Sequence, residues 1–332
     1  MKIFSRKDEH IRICINKPVE SGNTEFDKFR IKHMALPEID FDEISTEIKF
    51  LGRKLAHPII IGAMTGGTEK TEEINKDLAE IAQDLKIGFG VGSQRVFFDR
   101  KNLSMKYNLR EIAPDVLLIA NLGAVQLNYG FGIEECKKAI EMIDADALAL
   151  HLNPLQEVIQ PEGNKNFSNL VEKINKISEN LEKPVIVKET GCGISYEIAK
   201  KLKVAAIDVS GAGGTSWSLI ESYRTDKRNR EIGRLFSTWG IPTALAIKEV
   251  SKLPVYVIGS GGIRNGLEAA KALALGASCV SIALPILREW SRNGKPAVRE
   301  FLEKFILELK IAMFLSGSKK LSDLKGKIYQ ID

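Results

Sequence analysis

The sequence lacks the features that define several special classes of protein. Its 332 residues include only four cysteines, and Cys14, Cys136, Cys192 and Cys279 are too isolated to suggest a paired-cysteine metal site or a disulfide framework. No apolar run is long enough to span a bilayer. The charged start of the chain also lacks the continuous apolar stretch of a signal peptide. We therefore expect a cytoplasmic protein with no membrane partner.

The chain also has little excess charge of either sign. It carries 48 Lys and Arg residues against 43 Asp and Glu residues, a formal net charge of +5, and the two signs are interspersed. Binding of nucleic acid requires a concentrated basic face, so we expect no nucleic-acid partner. The charge balance does not exclude small anionic substrates. A hydrophobic content of 44% and a charged content of 27% are typical of a globular chain.

Short apolar runs alternate with amphipathic stretches after residue 55. Ile74, Leu78 and Ile81, for example, share one helical face. The apolar runs lack a period of two, as strands buried on both faces do. Eight such runs lie at residues 58–64, 87–91, 116–121, 147–152, 184–188, 205–210, 254–259 and 279–284.

This pattern predicts a single α/β domain over residues 1–332, a (β/α)8 TIM barrel with residues 1–55 as an N-terminal extension and 298–315 as a closing helix. The alternative is an open, doubly wound sheet. That fold requires a dinucleotide-binding glycine fingerprint after its first strand, and the sequence has none there.

Functional residues of such a barrel lie at the carboxyl ends of its strands, where this chain concentrates polar and glycine residues. The clearest end is the glycine-rich segment 259–262, followed by a predicted helix from Gly266. Glycines let backbone N–H groups approach an anion, and the positive end of a helix favours it. We expect a phosphate site here with Arg264 as a countercharge; the alternative is a tight turn without a ligand.

Four motifs on successive strand ends carry a specific resemblance: residues 64–67, 92–95, 151–157 and 210–217. With the charged segment 6–10, they make the chain similar to the FMN-dependent type 2 isopentenyl-diphosphate isomerases nearly from end to end. The resemblance implies interconversion of isopentenyl and dimethylallyl diphosphate by an allylic proton shift, with reduced FMN as acid and base. It further implies Mg2+, NADPH as the reductant, and a homo-oligomer, either a tetramer or an octamer.

The same resemblance implies roles for individual residues. Lys188 is expected beside the N1–C2=O edge of the flavin, and Glu157 is expected to bind Mg2+. Catalytic roles fall to Gln156, His151 and Asn153. The residues implied for FMN are Ala63, Met64, Thr65, Ser93, Asn121, Lys188, Ser210, Thr215, Gly262, Ile263, Arg264, Ala283 and Leu284. Those implied for the substrate are Arg6, Lys7, His10, Ser93, Gln94, Arg95 and Gln156.

Several alternatives stay open at this point. A 2-hydroxy-acid oxidase needs a His base and a neighbouring Arg near the sixth strand, and segment 210–217 contains neither. A non-catalytic flavoprotein is the second alternative function. On composition alone, Arg6 and Lys7 fit a solvated charge cluster. The alternative to a cofactor role for Lys188 is an ion pair with Glu189. Adjacent residues of a strand point to opposite faces, which disfavours this pair. The basic segment 218–240 fits either a mobile lid or a solvated loop.

Overall fold

The computed structural model describes residues 2–64, 68–98 and 108–331. Its strands include eight that run parallel and close into a barrel, which confirms the predicted (β/α)8 fold. The strands are β1 (Phe29–Ile31), β2 (Ile48–Phe50), β3 (Arg53–Leu55), β4 (Ile59–Ile61), β5 (Gly88–Gly90), β6 (Leu118–Gly123), β7 (Ala147–His151), β8 (Val185–Lys188), β9 (Ala206–Asp208), β10 (Tyr256–Ser260), β11 (Cys279–Ile282) and β12 (Ile328–Gln330).

Helices surround the barrel, and further helices lie near both ends of the chain. Short 3-10 turns occur at Phe26–Lys28 and Ala124–Asn128. The helices are α1 (Lys2–Asn16), α2 (Glu69–Leu85), α3 (Arg95–Phe98), α4 (Leu109–Ile112), α5 (Ile133–Glu141), α6 (Pro154–Ile159), α7 (Leu170–Asn180), α8 (Tyr196–Ala199), α9 (Trp217–Ser222), α10 (Lys227–Leu235), α11 (Thr243–Val250), α12 (Gly266–Leu275), α13 (Leu284–Leu315) and α14 (Leu321–Leu324).

Strands β4 to β11 form the barrel in chain order. Six of them lie within the predicted apolar runs, while β6 and β10 overlap their runs and extend two residues and one residue past them. Apart from Tyr256 at the exposed start of β10, the side chains of these strands are buried or half-buried on both sides of the sheet. In β4, Ile60 packs among the residues that fill the barrel, whereas Ile59 and Ile61 pack in the larger core that includes the helices. Burial on both faces explains why these runs show no alternation between apolar and polar residues.

The N-terminal extension closes one end of the barrel. Strands β2 and β3 form an antiparallel hairpin, and its Phe50 and Leu55 are fully buried against the residues that fill the barrel. Arg53 fixes the hairpin, because its Nε donates to Oδ1 of Asp146 at 2.9 Å. With its amino end closed by apolar side chains, the barrel has its opening at the carboxyl ends of the strands.

The C-terminal helix differs from its prediction. Helix α13 begins at Leu284 instead of residue 298, and non-helical backbone angles at Asn293 and Gly294 divide it. Gly294 has a φ of 62°. Glycine adopts this left-handed conformation readily, whereas most other residues adopt it only at an energetic cost. No helix in the described parts of the chain has both the length and the apolar character needed to cross a membrane.

The basic segment 218–240 is mostly helical. It contains the greater part of α9 and the whole of α10, and these two helices pack against each other. Asp226 starts α10, because its Oδ1 accepts a hydrogen bond from the backbone N–H of Asn229 at 2.9 Å. A side-chain oxygen at this position satisfies one of the free N–H groups of the first helical turn.

Candidate active site

One pocket at the carboxyl ends of the barrel strands brings most of the predicted site residues together. Thr65 lies outside the described residues. Helix α1 covers part of the pocket and contributes the N-terminal cations. The predicted residues that line it are Arg6, Lys7, His10, Ala63, Met64, Ser93, Arg95, Asn121, His151, Asn153, Gln156, Glu157, Lys188, Ser210, Thr215, Gly262, Ile263, Arg264, Ala283 and Leu284.

Gln94, expected to bind substrate, does not line this pocket. Its side chain is 1% exposed: Nε2 donates to the carbonyl of Ala139 at 2.8 Å, and Oε1 accepts the backbone N–H of Asn121 at 2.9 Å. The amide is therefore fully engaged within the protein. The expectation for Gln94 is corrected to a supporting role, because the chain turns its side chain outward beneath α5 while Ser93 and Arg95 face the pocket.

Asn121 and His151, on neighbouring strands β6 and β7, form a polar pair inside the barrel. Nδ2 of Asn121 donates to the carbonyl of Val91 at 3.1 Å, and its Oδ1 lies 2.8 Å from Nδ1 of His151. Burial, followed by repulsion from Lys188 and Lys7, lowers the pKa of His151 to about 3. The imidazole is therefore neutral at neutral pH.

Lys188 and Glu189 point to opposite sides of the barrel wall. Lys188 lines the pocket, and its Nζ donates to the backbone carbonyl of Glu189 at 2.8 Å. The Glu189 carboxylate instead accepts the backbone N–H groups of Thr190, Gly191 and Cys192. Burial lowers the pKa of Lys188, and attraction to Asp208 opposes the effect of burial. The alternative of an ion pair with Glu189 therefore does not describe this lysine.

Asp208 is a pocket residue that the sequence analysis missed. It ends β9, is 4% exposed and accepts a hydrogen bond from the hydroxyl of Ser260 on β10. Burial raises the pKa of Asp208, while attraction to Lys188 opposes that rise. The only sequence signal for this residue is an acidic side chain inside an otherwise apolar run.

The glycine-rich turn after β10 forms a close-packed cradle. Gly261 and Gly262 have φ values of 96° and 75°, which favour glycine. A Cβ atom on Gly261 would overlap the backbone of Gly211, and one on Gly262 would overlap that of Gly213. These close approaches leave backbone groups at the pocket wall, as a phosphate site requires.

Side chains of the chain itself bind N–H groups at the start of the helix after this turn. Glu308 accepts the N–H of Gly266 at 2.8 Å, and Oδ1 of Asn265 accepts that of Glu268 at 2.8 Å. Arg264 keeps its place in the pocket wall, with Nε donating to Glu20 at 2.8 Å. The phosphate site at the turn and the start of α12 stays a prediction.

Helix α1 contributes cations to the pocket at the carboxyl ends of the strands. Nζ of Lys7 donates to the carbonyl of Ser93 at 2.8 Å, and a guanidinium nitrogen of Arg6 lies 3.4 Å from Glu162. Burial, together with the charge of Arg6, lowers the pKa of Lys7 to about 7. Arg95 completes the group on α3. These contacts favour the binding role of Arg6 and Lys7 over a solvated charge cluster.

Asn153, Gln156 and Glu157 form a connected polar group around the start of α6. Nδ2 of Asn153 donates to Oε1 of Gln156 at 3.0 Å and to Oε1 of Glu157 at 3.1 Å. Both of these partners are acceptors, so they fix the orientation of the amide, and Oδ1 of Asn153 is left buried without a hydrogen-bond partner. The backbone N–H of Asn164 binds the other Glu157 oxygen at 2.5 Å.

This donor set suits a hard cation that takes its remaining ligands from a substrate. No group of three or more His, Cys, Asp or Glu side chains in the described parts of the chain could hold a metal alone. Glu157 supplies one buried carboxylate, and Asn153 supplies an unsatisfied oxygen beside it. Mg2+ characteristically binds one or two protein carboxylates and completes its shell with phosphate oxygens and water, so these residues fit it.

Glu221 on α9 is a second buried acid that sequence reasoning missed. It is fully buried, and its Oε1 lies 2.9 Å from both Nε2 of His10 and Nε2 of Gln156. Its other oxygen accepts from Arg224 at 2.5 Å. Burial alone would raise the pKa of Glu221, but these contacts hold it below its usual value. Glu221 thus connects α1 to α6. Nothing in the sequence of segment 218–240 distinguishes it from the other charged residues there.

The ring of His10 also packs edge-on against Trp217, with ring centroids 5.2 Å apart. Both residues line the pocket, together with Ile11 and Cys14 of α1 and Leu287 of α13. Apolar groups and the cations of α1 therefore both line the pocket, which suits a ligand that has a hydrocarbon part and anionic oxygens.

Solved structures with little sequence identity share this fold. A mandelate oxidase variant aligns with a TM-score of 0.66 at 18% identity, covering 99% of this chain and 96% of the other. A flavocytochrome b2 variant aligns with a TM-score of 0.71 at 18% identity, covering 96% and 82%. At such identities the likeness concerns the fold alone. Within the sequence, residues 135–331 match the family model described as FMN-dependent dehydrogenase.

Curated relatives are much closer in sequence. A protein of Ignicoccus hospitalis named isopentenyl-diphosphate delta-isomerase is 46% identical over 98% of this chain and 93% of the relative. Proteins of the same name from a Nostoc species and from Pyrococcus furiosus are each 46% identical, covering 97% and 96% of this chain and 94% and 84% of theirs. With this identity over nearly its whole length, the chain belongs to the type 2 isopentenyl-diphosphate delta-isomerase family.

Proposed function

We propose that this protein interconverts isopentenyl diphosphate and dimethylallyl diphosphate, using reduced FMN and Mg2+. One observation carries the proposal: helix α1 and α6 bring cations and a lone carboxylate to the same pocket as Lys188 and the glycine turn after β10. This arrangement supports a flavin site and a diphosphate site that lie side by side. When bound there, reduced FMN would supply the acid and base for protonating one carbon of the alkene and deprotonating another.

The flavin side of the pocket is formed by the barrel strands. The turn at 260–263 and Thr215 would hold the phosphate and ribityl chain, and Ala63, Met64, Ser93 and Asn121 would line the ring. Lys188 would place its ammonium beside the pyrimidine edge, where a cation stabilises the anionic reduced ring. Ser210, Ala283 and Leu284 complete the proposed cofactor wall.

The substrate side is formed by α1, α3 and α6. Arg6, Lys7 and Arg95 would bind the diphosphate, since guanidinium groups donate paired hydrogen bonds to phosphate oxygens. Glu157 would hold Mg2+ against the same oxygens. His10 would help α1 to close over the ligand through its contact with Glu221.

Gln156 would lie beside the alkene, where its neutral amide orients a reacting group without adding charge. Its Nε2 is held by Glu221 and its Oε1 by Asn153, so the side chain has a fixed orientation. The neutral His151 would contribute a hydrogen bond near the diphosphate or the flavin. Trp217 and the other apolar walls would exclude water, which a carbocation-like transition state requires.

The resemblance extends the proposal to the working form of the protein. We propose a cytoplasmic homo-oligomer, either a tetramer or an octamer, with NADPH as the reductant of FMN. We also propose that residues 1–332 act as one domain, with the extension 1–55 completing the substrate site. The position of α1 at the barrel opening supports the proposed role of the extension in the substrate site.

The proposal is tested by incubating the protein with isopentenyl diphosphate, FMN, NADPH and Mg2+ without oxygen and measuring dimethylallyl diphosphate. Product is expected with the complete mixture, and its yield is expected to fall sharply when flavin, reductant or metal is omitted. Glu157→Gln should lose activity, whereas Glu172→Gln, at an exposed position on α7, should not. Product formed equally well without flavin would refute the proposal.

The same preparation distinguishes the oxidase alternative that the fold likeness suggests. Oxidised, FMN-loaded protein is mixed with a panel of 2-hydroxy acids, and bleaching of the flavin absorbance is followed. We expect no bleaching, because residues 210–217 supply neither the His base nor the Arg that such a reaction needs. Rapid bleaching together with no isomerase activity would favour the oxidase.

A further inference from the structure

Asp208 occupies a central place in the pocket, and the family resemblance gives it no role. It ends β9 between two strands whose ends carry pocket residues. The parallel register pairs Asp208 with Lys188 of β8 on one side and with Ile258 of β10 on the other. Among the described residues that line the pocket, the acidic ones are Asp208 and Glu157.

The carboxylate of Asp208 holds two polar groups of the proposed cofactor wall. It accepts the hydroxyl of Ser260, and the backbone N–H of Ser210 is near enough to lower the pKa of the carboxyl. Ser210 has a φ of 37°, a left-handed conformation that non-glycine residues adopt at a cost. A carboxylate that binds the N–H group two residues further on stabilises such a turn, so Asp208 keeps this strained residue in place.

Asp208 also supplies a countercharge for Lys188. Burial removes water from the ammonium and lowers its pKa, and attraction to Asp208 is the largest opposing effect. The other titratable groups around Lys188 compensate less. His151 on β7 is neutral at neutral pH, and Lys7 on α1, with a pKa of about 7, is either neutral or positive, so neither supplies a countercharge. The Glu189 carboxylate is turned to the amides on the outer side of the barrel wall.

We propose that Asp208 is a positioning residue of the cofactor site, which keeps Lys188 cationic beside the flavin and holds Ser210 and Ser260 against it. This inference rests on the proposed function, because it requires FMN in this pocket. Asp208 acts through its neighbours, and no proton or electron passes through it. Its removal therefore changes how flavin binding depends on pH, an effect that a purely structural acid would not produce.

The test is the affinity for FMN as a function of pH, measured by quenching of flavin fluorescence. Asp208→Asn keeps an oxygen that accepts from Ser260 and Ser210 but removes the countercharge. Relative to the wild type, the Kd of the variant should be little changed at about pH 6 and about tenfold or more weaker at about pH 9, because an unpaired Lys188 loses its proton, about tenfold for each pH unit above its pKa. Asp42→Asn, at an exposed position, is the matched control.

A second pair of variants tests the same pairing from the side of Lys188, in a background where Asp208→Asn leaves no buried charge unpaired. Lys188→Gln leaves Asp208 as an unpaired charge facing the flavin and should bind FMN several-fold more weakly than the double variant Lys188→Gln/Asp208→Asn, in which both charges are absent. A variant-to-wild-type Kd ratio that is constant with pH, or a double variant no tighter than Lys188→Gln, would overturn the inference. A wild-type chain that binds no FMN would instead refute the proposed function on which it rests.

Discussion

Lys7 offers the sharpest test of the substrate side of the pocket, because its charge is expected to change within the working range of pH. Its Nζ donates to the carbonyl of Ser93 at 2.8 Å, and burial beside Arg6 lowers its pKa to about 7. In the free protein the side chain is thus close to half protonated at neutral pH. A diphosphate that binds beside it needs the protonated form.

The size of the effect follows from this pKa. Each pH unit above about 7 reduces the cationic fraction about tenfold and weakens diphosphate binding by about 1.4 kcal/mol, until the pKa of the bound complex is reached. Lys7→Arg keeps its charge over the whole range, because a guanidinium is not deprotonated in proteins. Comparing the two forms removes the contribution of the ionisation of the substrate itself.

The assay is calorimetric titration of FMN-loaded protein with isopentenyl diphosphate and Mg2+ at about pH 7 and about pH 9. We expect the affinity of the wild type to fall between these values by about tenfold to a hundredfold more than that of Lys7→Arg. Lys17→Arg, on the exposed end of the same segment, should behave as the wild type. If the affinities of the wild type and of Lys7→Arg changed with pH in parallel, Lys7 would not be the group that titrates at the diphosphate site.

Stability should respond to Lys7 in the opposite direction to affinity. A lysine whose pKa is lowered on folding binds fewer protons in the folded state than in the unfolded state between about pH 7 and its model value of 10.5. The free energy of unfolding therefore contains a contribution from Lys7 that rises with pH across this window. In Lys7→Arg this contribution is absent.

Four other substitutions test separate parts of the site and fold. Lys188→Ala should weaken FMN binding by about tenfold or more, measured by flavin fluorescence, and an unchanged Kd would contradict its place at the flavin. Glu157→Gln should raise the Mg2+ concentration needed for half-maximal diphosphate binding, and a normal metal titration would remove Glu157 from the metal site. Gln156→Ala should lower turnover while FMN stays bound on gel filtration; loss of the flavin would assign it to the cofactor instead. Leu55→Ala should lower the free energy of unfolding in urea by about 2–5 kcal/mol, whereas a loss well below 1 kcal/mol would show that the β2–β3 hairpin does not close the barrel.

The barrel was predictable because its signal is local and repeated. Each apolar run is buried on both faces, as Ile59, Ile60 and Ile61 illustrate, and the parallel arrangement follows from the helical stretches between runs. The pocket followed from the same reasoning, since the ends of parallel strands meet at one end of a barrel. The role of the extension was less accessible: the N-terminal cations reach the pocket only through the packing of α1.

The features that the sequence concealed depend on contacts between distant residues. Glu308 covers the start of α12 from 42 positions away, and nothing near Gly266 indicates this. Glu221 connects His10 to Gln156 from a segment that looked merely basic. Asp208 interrupts an apolar run, but its role depends on Lys188 and Ser260, which lie on the two neighbouring strands.

One pocket at the strand ends is proposed to hold reduced FMN and a five-carbon diphosphate against each other. The most direct measurement is a crystal structure of the protein with reduced FMN, isopentenyl diphosphate and Mg2+. We expect the flavin phosphate at the turn after β10, the ring beside Lys188, and the diphosphate between Arg6, Lys7 and a metal on Glu157. Flavin bound elsewhere, or a diphosphate bound away from α1, would contradict this proposal.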